Sequence, residues 1–321
     1  MVGIIFLSLV FYSLIFTAET DTGYIDHSVS NSSSHASDEP NILDLLKDLD
    51  EAALMLKLID QVGLRDTLSS KGPYTIFAPY DLAFELLPDS IYNELMNNQT
   101  NLKHTLMYHI VKGAFYLFPP PDGHGAYNDQ LLPSLISGKY VRLNIYQVGF
   151  TRLTAGGGPV IDGGNASNGA VYIIQNVMYP VPPGNIADVL MHNKSFSVLG
   201  KLVQKAGLMD YFKGGPFTMF PPTNEAFNKL SPDILNKYTQ NTTLLKQLIE
   251  YHVLDRTLYT AGSYSGEIVV TVQGCALNLT VWYDTLWLNG VNNSQVIYLN
   301  YQVDNGVMHV VDTVLIPPVI H

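Results

Sequence analysis

The stretch GPYTIFAPYDLAF, residues 72–84, returns 143 positions later as GPFTMFPPTNEAF, residues 215–227. In each copy Gly-Pro breaks the preceding element, four residues suited to a strand follow, and a later proline stops that strand. Asp81 and Asn224 come next, and both are side chains that can cap the first turn of a helix. Each copy therefore predicts a turn, a short strand and the start of a helix.

The repeat continues well beyond this stretch. Residues 72–113 and 215–256 share 16 identities in 42 aligned positions. Further matches lie upstream and downstream, at Asn41-Ile42 and Asn185-Ile186, Gly63-Leu64 and Gly207-Leu208, and Asn168-Gly169 and Asn305-Gly306. A period of this length is the size of a whole domain. We therefore expect two tandem domains, at residues 41–184 and 185–321, and we expect residues 185–321 alone to unfold cooperatively.

Three ordered motifs in each copy resemble the fasciclin domain: the Gly-Pro-aromatic-Thr block, a Tyr-His pair, and an Asn-Gly turn before a closing strand that leads to Val-x-x-Pro. The resemblance implies an α+β fold, in which helices pack on a twisted, wedge-like β-sandwich, and it implies extracellular adhesion. Copy one departs from the pattern, because Tyr172 and Gln175 stand where copy two has His309 and Asp312.

Composition excludes some classes of function. The chain is 47% hydrophobic and 14% charged, so it can bury two cores. Its net charge of −11 and the lack of any basic run argue against binding to nucleic acid, heparin-like polymers or anionic membranes.

The N-terminal region predicts secretion. Residues 4–16 form an uninterrupted run of apolar, Ser and Tyr residues, which suits a signal peptide at residues 1–18 and is too short to span a bilayer. Cleavage after Ala18 and after Thr20 both fit, and a signal anchor is the alternative. Residues 19–40 are polar and predict a disordered leader. We expect no membrane span later in the chain and no glycolipid anchor at its end, and hence a protein of the extracellular space or matrix.

Within each copy the periodicity predicts helices first and strands later. Apolar residues from Ile42 to Ile59 recur at helical spacing, and Cys275 to Val281 alternate as in a half-buried strand. The Asn-Gly pairs predict hairpin turns before the last strand. The proline-rich link at residues 180–184 should restrict motion between the domains.

Seven Asn-x-Ser/Thr sequons predict N-glycosylation, at Asn31, Asn98, Asn165, Asn193, Asn241, Asn278 and Asn292. Asn98 and Asn241 fall at the same point of the two repeats. We expect four or more to be occupied.

A single cysteine, Cys275, excludes a disulfide within the chain. We expect a buried, inert thiol, with an intermolecular bridge as the alternative.

Two groups of residues are candidates for receptor binding. The first comprises the pairs Tyr108-His109 and Tyr251-His252, since a Tyr-His pair at this place in related fasciclin domains is linked to integrin binding. The alternative is structural: the histidine hydrogen-bonds a neighbouring turn, half-buried in the case of His252, while the tyrosine packs in the core.

The second candidate is Asp233-Ile234, inside the segment Ser231-Pro232-Asp233-Ile234-Leu235. It resembles Asp-Ile-centred integrin segments of related fasciclin domains. A plain helix start, with Ser231 as cap and Pro232 at the first position, is the alternative. Copy one has Ser90-Ile91 at the aligned place, so an Asp-dependent contact should lie mainly in copy two.

No pattern indicates catalysis, a cofactor or a metal. Residues 262–266 have Tyr264, and not a serine, at the centre of what would be a nucleophile elbow. The glycine-rich residues 156–159 open no predicted helix, so they do not predict a phosphate-binding loop. The nine histidines lack the spacing of a zinc site.

The sequence therefore predicts a secreted adhesion or matrix protein that binds cell-surface receptors or matrix components; its oligomeric state is not predicted. The alternative is a carrier of a small apolar or glycan ligand in a cleft between the domains, which aromatic residues could line.

Overall fold

The computed structural model describes residues 39–70, 72–117, 128–147, 151–282, 285–289 and 293–318. The predicted signal peptide and residues 19–38 of the predicted leader lie outside these residues. Each copy contains helices and a seven-stranded sheet, which confirms the predicted α+β class. No helix among the described residues is long and apolar enough to cross a bilayer.

Copy one begins with helices and ends with strands. A 3₁₀ turn at Asp50–Ala52 separates its first two helices. The helices and strands, in chain order, are α1 (Ile42–Asp48), α2 (Ala53–Gln61), α3 (Arg65–Leu68), β1 (Tyr74–Pro79), α4 (Asp81–Glu85), α5 (Asp89–Asn97), α6 (Gln99–Tyr108), β2 (Ile110–Lys112), β3 (Gln130–Pro133), β4 (Tyr140–Gln147), β5 (Thr151–Ala155), β6 (Gly158–Ala166) and β7 (Gly169–Ile174).

Copy two repeats this order. Its helices and strands are α7 (Ile186–His192), α8 (Ser197–Lys205), β8 (Phe217–Met219), α9 (Asn224–Asn228), α10 (Pro232–Thr239), α11 (Thr242–Glu250), β9 (Val253–Leu254), β10 (Glu267–Val270), β11 (Ala276–Trp282), β12 (Thr285–Leu288), β13 (Ser294–Val303) and β14 (Gly306–Val311). Short 3₁₀ turns lie at Lys194–Phe196, Tyr211–Lys213 and Thr260–Gly262.

In each copy the first and the last strand in chain order are parallel neighbours in the sheet. The order is β2-β1-β7-β6-β5-β4-β3 in copy one and β10-β11-β12-β13-β14-β8-β9 in copy two. In copy one a bridge between Val111 and Ser134 joins the two edge strands, so the sheet folds over itself.

The two faces of this folded sheet bury separate cores. Ile76 and Ala78 of β1 pack against the helices, whereas Phe77 packs with residues of β4 and β5 inside the fold. Alternating side chains of one strand thus serve both layers, as in the predicted sandwich with packed helices.

The repeated stretch forms the predicted strand and helix, but one local prediction is wrong. Asp81 and Asn224 do not cap their own helices; each accepts a hydrogen bond from the start of an earlier helix, Leu54 N to Asp81 Oδ1 (2.9 Å) and Val198 N to Asn224 Oδ1 (3.0 Å). In copy two the cap of α9 is Thr223, whose Oγ1 accepts from Ala226 N. The stretch therefore forms one helix and binds the start of an earlier one.

The Asn-Gly turns also anchor the first helix of each copy. Both form the predicted hairpins, between β6 and β7 and between β13 and β14. Asn168 Oδ1 accepts from Ile42 N at 2.8 Å, and Asn305 Oδ1 accepts from Ile186 N at 2.9 Å. The last hairpin of each copy thereby caps that copy's first helix.

Tyr172 of β7 stands where copy two has His309, and it keeps the same contact. Its hydroxyl donates to Phe115 O at 2.9 Å. In copy two His309 Nε2 lies 2.8 Å from Leu258 O. At this position copy one therefore differs in residue type but keeps the hydrogen bond to the equivalent backbone carbonyl.

The apolar residues from Ile42 to Ile59 lie in two helices, because α1 ends at Asp48 and Leu49 has an extended backbone. One other prediction needs correction. Cys275 is half-buried and not fully buried; it precedes β11 and packs beside a core cluster of copy two. In β11 itself Leu277 and Leu279 are buried as predicted, but Val281 is 42% exposed.

Candidate receptor-binding site

The Asp233-Ile234 pair lies at the exposed start of α10. Ser231 caps this helix, its Oγ accepting weakly from Ile234 N at 3.4 Å, and Pro232 takes the first helical position. Asp233 is exposed, and Ile234 is 40% exposed. Asp233 forms no ion pair with any described residue. A carboxylate and an apolar side chain are thus both exposed in the first turn of one helix.

Copy one builds the equivalent helix differently. Asp89 occupies the first position of α5, where copy two has Pro232, and Pro88 precedes it without a side-chain cap. Ile91 is half-buried, unlike Ile234. The pairing of an exposed carboxylate with an exposed isoleucine is therefore a feature of copy two.

The Tyr108-His109 pair lies in the interior. Neither side chain is exposed to solvent. The Tyr108 hydroxyl donates to Tyr140 O at 2.8 Å. His109 Nδ1 donates to Thr105 O, and His109 Nε2 accepts from Met178 N, both at 2.8 Å. The pair joins the end of α6 to β4 and to the segment that follows β7.

Tyr251-His252 repeats this arrangement in copy two. The Tyr251 hydroxyl donates to Ala276 O at 3.0 Å. His252 Nδ1 donates to Leu248 O at 2.8 Å, and its Nε2 accepts from Leu315 N at 2.9 Å. His252 is only 2% exposed, so the expectation of a half-buried side chain is wrong.

Burial sets the charge of these histidines. Loss of hydration lowers the pKa of His109 and of His252 to about 4, and the hydrogen bond to the helix carbonyl opposes this only in part. Each ring therefore stays neutral at pH 7 with its proton on Nδ1, since Nε2 must accept a backbone N–H. Such a group is suited to fastening a helix and is not available to a partner at the surface.

The boundary between the copies carries a polar cluster that the sequence did not reveal. Arg142 Nη1 lies 3.3 Å from Asp129 Oδ1, with both side chains largely buried. Asn144 Nδ2 donates to Thr257 Oγ1 of copy two at 2.7 Å, and Thr257 also bonds Asp129. Arg142 Nη2 donates to Asp304 O at 3.0 Å. Polar residues alternate with apolar ones along β4, and this pattern indicates that the strand has a polar face. The pattern does not indicate that copy two covers that face.

Aromatic rings fill the rest of this boundary. Tyr146 of β4 belongs to a core cluster of copy two, and its hydroxyl accepts from Tyr259 N at 3.1 Å. Tyr259 is 1% exposed and packs against Gly157, while Gly262 packs against the ring of Tyr146. The described part of the boundary is packed and hydrogen-bonded, so it gives no support to a carrier with an interdomain cleft.

Five of the seven sequons lie in the described residues. Asn98, Asn165, Asn241 and Asn278 are exposed and Asn193 is half-buried, whereas Asn31 and Asn292 lie outside the described residues. Asn98 caps α6 and Asn241 caps α11, in each case through Oδ1. The cap leaves the amide nitrogen, the atom that a glycan would modify, out of these bonds.

Among the described residues no group of three or more His, Cys, Asp or Glu side chains could hold a metal ion. A depression of about 340 Å³ between α2 and α6 is wide open to solvent and lined mostly by polar side chains.

A family model described as "Fasciclin domain" matches residues 50–180 and 194–317. The chain is 28% identical over 259 residues to transforming growth factor-beta-induced protein ig-h3 of Sus scrofa, covering 79% of this chain and 36% of that protein. It is 26% identical over 267 residues to periostin of Homo sapiens, covering 80% of this chain and 30% of periostin. The chain thus spans about a third of the length of these two relatives.

Shorter and structural relatives are also similar. Cell surface glycolipoprotein MPB83 of Mycobacterium bovis is 31% identical over 166 residues, covering 46% of this chain and 70% of that protein. A solved FAS1 domain pair from the insect cell adhesion molecule fasciclin I has 19% identity and a TM-score of 0.40, covering 83% of this chain and 97% of that chain.

Proposed function

The chain belongs to the fasciclin domain family, and on that premise we propose that it is a secreted, glycosylated adhesion or matrix protein. Its partners are cell-surface receptors or matrix components, and integrins are the receptor class that the family resemblance implies. One relative is described as a cell surface glycolipoprotein, and the fasciclin I domain pair comes from a cell adhesion molecule.

The observation that carries the proposal is the exposed start of α10. Asp233 offers a carboxylate without a described ion-pair partner, and Ile234 adds apolar surface beside it. A receptor that places a cation or donor group opposite the carboxylate gains a charge-assisted contact. We place the primary contact at these two residues.

The Tyr-His pairs contribute from the interior in this proposal. Because Tyr108, His109, Tyr251 and His252 are buried, a receptor does not touch them in the folded domain. They fasten α6 and α11, and α10 packs on α11. Tyr251 and His252 therefore hold the helix against which the contact helix rests.

Glycosylation accompanies secretion in the proposal. We assign glycans to four or more of the seven sequons, and the exposed Asn98, Asn165, Asn241 and Asn278 are the first candidates. We propose no catalytic activity.

Cell attachment tests the proposal. Full-length protein is expressed in a secreting eukaryotic host and coated on a surface. Suspended cells should attach to this surface, and the protein should capture a receptor or matrix protein from a cell-surface lysate. A glycosylated, folded protein that supports no attachment and captures no such partner would contradict it.

A further inference from the structure

Copy one uses one sheet face to hold copy two. The outer face of β4 and β5 carries Arg142, Asn144 and Tyr146, and these side chains bond Asp304 and residues 257–259 of copy two. This face is therefore a docking surface for a neighbouring domain.

Equivalent hydrogen bonds identify the same face in copy two. Tyr108 bonds Tyr140 O as Tyr251 bonds Ala276 O, so β11 corresponds to β4. Gly156 N donates to Arg142 O at 2.8 Å, and Asn289 N donates to Asn278 O at 2.8 Å. Asn278 therefore occupies the position of Arg142 on the second face.

The second face carries exposed apolar side chains on β10 and a half-buried tryptophan, Trp287, on β12. Ile268 lies directly opposite Asn278 on β10, and Trp287 of β12 lies opposite Thr280. Ile268 is 67% exposed and Val270 is 66% exposed. Side chains opposite each other on paired strands share a face. Asn278 of β11 therefore has Ile268 of β10 beside it and Trp287 of β12 diagonally across on the other side. Ile268 and Val270 are grouped on this face, and exposed apolar side chains grouped in this way mark a surface that makes contacts.

Asn278 is also the first residue of a sequon, Asn278-Leu279-Thr280, and its side chain is exposed. We propose that the N-linked glycan of Asn278 lies over this face and packs its first sugar rings against Trp287 and Ile268. The C–H face of a pyranose ring complements an indole and a branched aliphatic side chain. The glycan then takes the place that copy two occupies on copy one, and it keeps a further domain from docking there. This inference rests on the glycosylation in the proposed function and goes beyond it.

Tryptophan fluorescence reports on this face directly. The chain has two tryptophans, Trp282 on β11 and Trp287 on β12. In a Trp282→Phe background all tryptophan emission comes from Trp287, and quenching by acrylamide measures its accessibility.

Two matched variants remove single glycans by the same hydroxyl-to-methyl change. Thr280→Val abolishes the sequon of Asn278, and Thr243→Val abolishes that of Asn241 without changing the asparagine that caps α11. We expect Thr280→Val to raise the quenching constant of Trp287 and Thr243→Val to leave it unchanged. Asn278→Gln should reproduce the effect of Thr280→Val.

Peptide mass spectrometry of the same samples separates the possible failures. An unmodified Asn278 in secreted protein overturns the inference while glycans elsewhere sustain the proposed function. An occupied Asn278 with equal quenching in Thr280→Val and in the parent overturns it as well. A parent protein that sediments as a dimer, with Trp287 equally protected after Thr280→Val, shows that a second copy covers the face and also overturns it.

Discussion

Two buried histidines carry the same pair of hydrogen bonds at equivalent places in the two copies. His109 and His252 each donate from Nδ1 to the preceding helical turn and accept at Nε2 from a backbone N–H near the end of the copy. A protonated ring could not accept at Nε2, and its charge would lie in an apolar interior. The sequence predicted a hydrogen-bonded, half-buried histidine as one alternative, but it did not show full burial, because a histidine at a helix end suits a surface equally well.

Stability should therefore fall in mild acid. Burial holds the pKa of His109, His252 and His309 at about 4, below the ordinary value of 6.5. As pH falls below about 6.5 the unfolded chain binds protons that the folded chain does not, so the free energy of unfolding decreases until pH about 4. Melting temperatures measured by circular dichroism from pH 7.5 to pH 4.5 should decline, with most of the decline below pH 6.5. A melting temperature equal at pH 7 and pH 5 would show that the folded protein takes up these protons.

Among the secondary-structure elements, the repeated stretch joins neighbouring helices and strands. Its strand, its proline stop and the helix that follows were predictable, because Gly, Pro and β-branched residues restrict the backbone locally. The hydrogen bond between Asn224 and the start of α8 was not predictable, because the type of a capping side chain does not show which helix it caps. The position of the break at Leu49 was not predictable either, since apolar spacing continues through it.

Removing the cross-helix cap should destabilise copy two. Asn224→Ala deletes the acceptor for Val198 N and the donor to Lys194 O. We expect a loss of about 0.5–2 kcal/mol, the usual cost of losing a helix cap. Chemical denaturation of the full chain measures it, and Asn228→Ala, at an exposed position of α9, is the matched control. Equal midpoints for the two variants would mean that Asn224 does not support α8.

At the scale of the whole molecule the two copies are joined by more than the proline-rich link. Arg142 and Asn144 bond copy two directly, and Gln302 Nε2 donates to Gly156 O at 2.6 Å. The duplication and the family resemblance were clear from the sequence. The contact between the two copies was not predictable from the sequence, because the residues that form it lie more than 100 positions apart and have no counterpart motif in the other copy.

A small change at Gly262 should loosen this boundary. A Cβ at Gly262 would meet the ring of Tyr146 from the other copy. Gly262→Ala should cost about 1–3 kcal/mol of packing at the boundary. We expect a larger radius of gyration in small-angle X-ray scattering and a broadened or split calorimetric transition.

Gly214→Ala is the control for this experiment, since its Cβ would meet only Tyr211 O at ordinary contact distance, 3.4 Å. If Gly262→Ala matches Gly214→Ala in both measurements, the two copies are not held together by this contact.

We propose that adhesion runs through Asp233 at the start of α10. Asp233→Asn removes the charge and keeps the shape, and an exposed charge near a helix start contributes only about 0.3–1 kcal/mol to stability. His252→Ala differs, because it leaves Leu315 N buried without its acceptor, at a cost of roughly 1–3 kcal/mol. It should lower the melting temperature and weaken attachment only as far as it disturbs α11.

The most direct test is attachment of cells to surfaces coated with equal amounts of the parent protein, Asp233→Asn, Asp89→Asn and His252→Ala. We predict that Asp233→Asn loses attachment with a nearly unchanged melting temperature, and that Asp89→Asn, at the equivalent helix start of copy one, retains it. Normal attachment by Asp233→Asn beside a folded and inactive His252→Ala would contradict a contact at Asp233 and would place the contact at the Tyr-His pair.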